Sequence, residues 1–189
     1  MLGDKIIRAA LKEKLSRGSP IPRAIAEELR IHNGNAIADV VAIYQEAHCY
    51  EIKGDADKIE RVLLQGKHYD LAFRKVTLVT TRRHLKKSFT YAPEHWGILE
   101  ANYSEQKKAV TFKHIRAAQK NPYFNKHIAL LTLWRNEMLD VLSSLKIHNI
   151  KKENRSQLTD IIAKEVGKKE LSEIISTKLI SRIYTDLII

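Results

Sequence analysis

Asp39, Glu51 and Lys53 are the residues whose types and spacing invite a chemical reading. Side chains alternate across a strand, so in Glu51-Ile52-Lys53 the carboxylate and the ammonium emerge on one face while Ile52 points to the other. If the strand carrying Asp39 pairs with this one through a turn at 45–47, the two carboxylates and the ammonium converge at one end of an apolar hairpin. Such a cluster is unfavourable for stability alone, because partly buried carboxylates repel each other unless a cation lies between them. Mg²⁺, with Mn²⁺ as its substitute, prefers carboxylate and carbonyl oxygens and keeps waters for chemistry. Asp39, Glu51 and the Ile52 carbonyl are its expected protein ligands, and Lys53 is expected to orient a metal-activated water. The bland alternative is a surface Glu–Lys pair, since a bare D…ExK match arises often by chance.

The helix that follows adds a stripe. Arg61, Gln65 and Tyr69 recur every fourth residue, so they share one helical face. Gln65 is expected at a scissile phosphate or the attacking water, and Arg61 and Tyr69 at the nucleic-acid backbone. Upstream, Glu27 and Glu28 lie in the first strand, and alternation lets only one of them face the site.

The elements that must position these residues can be read from periodicity and turn chemistry. Residues 4–16 carry aliphatics at helical spacing. Strands are expected at Ala24–Ile31, Ala36–Tyr44 and Cys49–Lys53, the first two joined by the turn signal His32-Asn33-Gly34-Asn35. Asp55 or Asp57 is expected to cap a helix over Lys58–Arg74, with Ile59, Val62, Leu63 and Tyr69 inward. Lys75–Thr81 is β-branched and reads as a buried strand, and Trp96–Ala101 and Ala109–Phe112 as two more. Helices follow at Ile128–Leu145, Ser156–Val166 and Leu171–Ile183. The fold class is therefore α/β, a mixed sheet flanked by helices, with a core over 1–125 and a helical C-terminal region over 126–189. That region suits packing, oligomerisation or DNA contact, and homodimerisation stays open.

Composition narrows the partners. The chain has 189 residues, a formal charge of +11 and a hydrophobic fraction of 44%, ample for a buried core. Arg74, Lys75, Arg82, Arg83, Lys86 and Lys87 fall in a stretch without carboxylates, and so do Lys107, Lys108, Lys113, Arg116, Lys120 and Lys126. Phosphates are the expected partner of this basic band, with Arg82, Arg83, Lys86 and Lys87 as contacts; DNA is favoured and RNA stays open. Cys49 stands alone, which excludes an intrachain disulfide and a cysteine zinc cage and agrees with a cytoplasmic location. No membrane association is expected, because no apolar run is long enough to span a bilayer. The histidines show no close zinc-type spacing and are expected at the surface or facing phosphates.

Three segments carry a resemblance: IAEELRIHNGNAIADVVAI (25–43), YEIKGDADKIERVLLQGKHYD (50–70) and VTLVTTRRH (76–84), with weaker echoes at 93–99, 115–122 and 130–139. Together they resemble the PD-(D/E)XK phosphodiesterase superfamily, within it a small bacterial and phage group with an E…D…ExK…QxxxY pattern. The resemblance implies a restriction-endonuclease-like core and Mg²⁺-dependent hydrolysis of DNA. It implies metal ligands at Glu28, Asp39 and Glu51, with Lys53 and Gln65 completing the site, and so selects Glu28 over Glu27. The Gln65/Tyr69 pair is similar to the extra motif of RecB-type exonuclease domains. Two departures are Ile37, where the group usually has arginine, and Gly54, where it usually has serine. The alternative function is a nucleic-acid-binding or regulatory protein that keeps the fold without cutting.

Overall fold

A computed structural model describes residues 1–148, 150 and 152–186. One six-stranded sheet organises the chain, with strands in sequence order across it. They are β1 (Ala24–Ile31), β2 (Ala36–Ile43), β3 (Ala47–Lys53), β4 (Lys75–Thr81), β5 (Gly97–Ser104) and β6 (Ala109–Arg116). β1, β2 and β3 form an antiparallel meander, β3, β4 and β5 run parallel, and β6 returns antiparallel. The parallel pairs need crossovers, which α2 (Val62–Ala72) and α3 (Arg82–Tyr91) supply. The mixed α/β class expected from the sequence is the class observed.

Helices cover both faces, and the cores differ in size. Helix α1 (Asp4–Ser16) lays Ile7 and Leu11 on Val40, Ala42, Tyr50, Ile52, Val79 and Leu99. The opposite face, with Val41, Ile43, Cys49, Val76 and Leu78, packs under α2 and under the C-terminal helices. Those are α4 (Lys126–Leu130), α5 (Arg135–Ser144), α6 (Arg155–Glu165) and α7 (Lys168–Asp186), which contribute Leu130, Met138, Leu158, Ile162 and Leu179 to the same core. No helix among the described residues is long and apolar enough to cross a membrane.

Several expectations change. The helix expected over Ile128–Leu145 is two, because the chain turns through Leu131–Trp134, where Arg155 and Arg182 hold the loop carbonyls. Neither Asp55 nor Asp57 caps α2. Asp55 instead accepts from the Leu2 N–H at 2.6 Å, and Asp57 accepts from the Gly54 N–H at 2.7 Å, so both tie down the loop after β3. Leu63 is half-exposed rather than inward. Helix α3 was not read from the sequence: its buried residues are the polar His84 and Ser88, and Leu85 is its one aliphatic packed on the core, beside Tyr91, which leaves no aliphatic stripe to detect.

Candidate functional site

The site forms where two strands part. Pairing of β2 with β3 runs from Ile43↔Ala47 to Val40↔Tyr50 and stops, while β3 continues along β4 as far as Lys53↔Thr80. Asp39 sits in the resulting notch. Its carboxylate replaces the missing rung, Oδ2 accepting from the Ile52 N–H at 2.7 Å. The register of β1 with β2 is interrupted at the same level: Glu27 pairs with Val40 and Leu29 with Ala38, but the intervening Glu28 has a φ of 50° and makes no rung with Asp39. A non-glycine residue in this region is strained, and such strain concentrates at functional sites.

Glu51 and Lys53 share the β3 face under α2, as alternation requires. Both are buried, Glu51 at 1% and Lys53 at 6% exposure. The Lys53 ammonium donates to Glu51 Oε1 through a short contact and to Gln65 Oε1 at 3.0 Å, so α2 is bonded to the end of β3. The Lys53 carbonyl accepts from the Thr80 hydroxyl at 3.0 Å, which fixes the strand end. Glu51 Oε2 is buried with no hydrogen-bond partner. The Tyr69 hydroxyl is close enough for Glu51 to help raise its pKa, after burial itself, but its proton goes to the Ile37 carbonyl at 2.9 Å. Burial first, and Glu51 second, push the Asp39 carboxyl up to about 7, against the opposing pull of the Ile52 N–H, Lys53 and Arg8. Together these features describe a notch short of positive charge.

Sequence reasoning missed two participants on α1. Arg8 donates to Glu28 Oε1 and to Asp4 Oδ2, each at 2.7 Å, and lies 3.6 Å from Asp39 Oδ1. Desolvation raises the Asp4 pKa, with Asp39 and Asp57 adding to it against Arg8. The signal was present as an i, i+4 acid–base pair, but nothing in sequence says that α1 docks here. Gly54 explains the docking: a Cβ there would lie 2.7 Å from the Leu2 carbonyl oxygen, so the loop takes no side chain where the start of α1 crosses it. That accounts for glycine where the resembling group carries serine.

Asp39, Glu51, Lys53 and Gln65 are thus brought together, while the Glu28 side chain is 69% exposed and turned to Arg8. Among the described residues, no group of three or more His, Cys, Asp or Glu side chains is arranged to hold a metal ion. Arg61 is exposed beside Gln65 in a shallow groove. Tyr69 is corrected: at 0% exposure it has no surface for nucleic acid, and it braces β2 through Ile37. The basic band divides. Arg82, Arg83, Lys86 and Lys87 are exposed along α3, with Lys87 bridged to Glu60 at 3.0 Å. Arg74 is buried against Glu46, Arg116 binds the carbonyls of Ala92, Pro93 and Trp96, and Lys126 binds those of Ala163 and Val166, so these three serve the fold. Of the histidines, His114, His127 and His148 are exposed as expected, and others are not. His84 is buried, His95 meets Asp70 at 2.8 Å, and His32 and His68 face each other with Nδ1 atoms 3.1 Å apart.

Comparison with known proteins places this architecture. The family model described as bacteriophage P4 protein cII matches residues 2–185. The chain belongs to the bacteriophage P4 protein cII family. Within that family it is similar to Protein cII of Enterobacteria phage P4, at 24% identity over 183 residues, covering 96% of this chain and 68% of the relative. The family match therefore includes every element that builds the notch, from α1 to α2, and the C-terminal helices as far as α7. No solved structure matches the chain.

Proposed function

We propose that this chain is a Mg²⁺-dependent phosphodiesterase of the PD-(D/E)XK type acting on DNA, with a restriction-endonuclease-like core. The observation that carries the reading is the buried Glu51 oxygen without a hydrogen-bond partner, set beside an Asp39 carboxyl pushed up to about 7. Lys53 and Arg8 offset the charge of these two carboxylates only in part, and a hard divalent ion bound through Asp39, Glu51 and the Ile52 carbonyl fits the remaining donor set. Such an ion, when bound, supplies a water of lowered pKa and neutralises charge on the phosphate. The chain's own groups do the rest. Lys53, held by Glu51 and Gln65, presents an ammonium to the developing charge, and Gln65 fixes its direction. Arg61 and the exposed cations of α3 hold the phosphate backbone. Glu28 joins only if Arg8 releases it. Manganese serves as a substitute ion, RNA is the alternative substrate, and the cytoplasm is the expected location.

A second reading, a nucleic-acid-binding or regulatory protein that does not cut, is favoured by one observation: among the described residues no third acidic or histidine side chain completes the Asp39–Glu51 pair. The discriminating experiment incubates labelled linear and circular DNA, single- and double-stranded, with Mg²⁺ or Mn²⁺ against EDTA. Wild type is expected to cut only with metal, and Asp39→Ala and Lys53→Ala to lose about a hundredfold or more in rate. Equal silence of wild type and variants, with DNA binding intact, sinks the nuclease and leaves the binder.

A further inference from the structure

A groove of about 590 Å³ runs along β1, the edge strand of the sheet, and is walled by the Leu131–Trp134 loop and the end of α7. Its contents are unusual for a packing defect. Trp134 is 50% exposed, whereas Trp96, the chain's other tryptophan, is fully buried. The Arg182 guanidinium backs the Trp134 ring at 4.1 Å from its centroid. Arg182 is itself fixed by Glu137 and by the Thr132 carbonyl at 3.1 Å. Arg155 donates to the Leu131 and Leu133 carbonyls at 2.7 and 2.6 Å, so two arginines hold the loop that presents the ring. An aromatic face preset in this way binds a planar partner with little ordering loss.

The charges in the groove favour an anion. Glu27 is bridged by Lys12 and Glu28 by Arg8, whereas among the described residues Arg30 and Arg155 have no carboxylate within ion-pair distance. The lining also includes Glu28, which falls level with Asp39 at the interruption of the β1–β2 register.

We propose that this groove is a subsite for single-stranded nucleic acid, with an unpaired base stacked on Trp134 and the backbone passing Arg30 toward Asp39. Duplex bases are already stacked and turned inward, so only an unpaired base can use such a platform. The subsite deepens the nuclease reading and rests on it for the direction of the strand, but its test needs no catalysis.

Trp134 makes the experiment direct, because the buried Trp96 leaves it as the accessible emitter. The full chain is titrated in EDTA with short oligothymidylate, oligouridylate and a duplex of equal length, reading tryptophan emission. Quenching by a single strand, lost in Trp134→Phe, is expected, and the two single strands distinguish DNA from RNA. Trp134→Ala is expected to weaken single-strand affinity about fivefold to a hundredfold and duplex affinity little. Circular dichroism melts of both variants check that the loop stays folded, and the Trp134→Phe titration stands if Trp134→Ala does not fold. Absence of quenching, or quenching equal for duplex and single strand, overturns the subsite and leaves the edge groove to a protein strand. Quenching without any metal-dependent cleavage keeps the subsite and removes the nuclease.

Discussion

Glu51 and Glu137 are both buried carboxylates facing a cation, and they are completed differently. Glu137 has both oxygens engaged: Oε1 accepts from Arg182 Nε at 2.8 Å, and Oε2 accepts from the Trp134 N–H at 2.6 Å and from Arg182 Nη2. Glu51 gives Oε1 to Lys53 and leaves Oε2 without a hydrogen bond, beside a second carboxyl that burial and repulsion drive toward its protonated form. A satisfied ion pair is a structural joint, here between α5 and α7. An unsatisfied one at a strand end is where the proposed cation would act, since a buried acceptor without a donor is destabilising in the folded state.

The difference can be broken at either end. Glu137→Ala strands a guanidinium that is 11% exposed, and is expected to lower unfolding free energy by about 3–5 kcal/mol in a denaturant titration. A loss below about 1 kcal/mol would show that the joint is no better satisfied than the notch. At the other end, Mg²⁺ at a hundredfold excess over its dissociation constant is expected to stabilise the folded chain by about 2.7 kcal/mol, reversibly with EDTA and not in Asp39→Asn. A melting temperature indifferent to Mg²⁺ would remove the cation from the account of Glu51.

Acid and base sharpen the contrast further. The folded state holds the Asp39 proton more tightly than the unfolded chain, so this carboxyl contributes stability at low pH that is lost as pH rises from about 4 to about 7. The shift corresponds to at most about 4 kcal/mol, and to roughly 2 once its partial exposure is discounted. Metal-free wild type is expected to lose that much between these pH values, and Asp39→Asn to be flatter across them; identical profiles would contradict the raised pKa. The smallest effect belongs to Tyr69→Phe, which deletes the bond to Ile37 while keeping the ring. It is expected to remove about 1 kcal/mol of stability and leave nucleic-acid affinity unchanged, because the ring is inside. A loss of affinity would restore Tyr69 to the nucleic-acid surface.

The sequence by itself determined much of this molecule. Alternation placed Glu51 and Lys53 on one face and Ile52 on the other, Asn33-Gly34 marked the turn that aligns β1 with β2, and β-branched runs marked the buried strands. Spacing along α2 put Arg61, Gln65 and Tyr69 on one helical stripe. These are local rules, in which neighbours a few residues apart fix direction. Only the tertiary structure decided that α1 docks over the notch, so that Arg8 takes Glu28. It also decided that Tyr69 on the same helical stripe as Gln65 is inside, and that Arg74, Arg116 and Lys126 spend their charge on Glu46 and on backbone carbonyls. The exposure of Trp134, with a guanidinium behind it, belongs to the same class. The physical reason is common to all of them. Charge and aromaticity are written in the sequence, but burial and pairing are set by residues dozens of positions away, and those decide whether a cation meets a phosphate or a carbonyl.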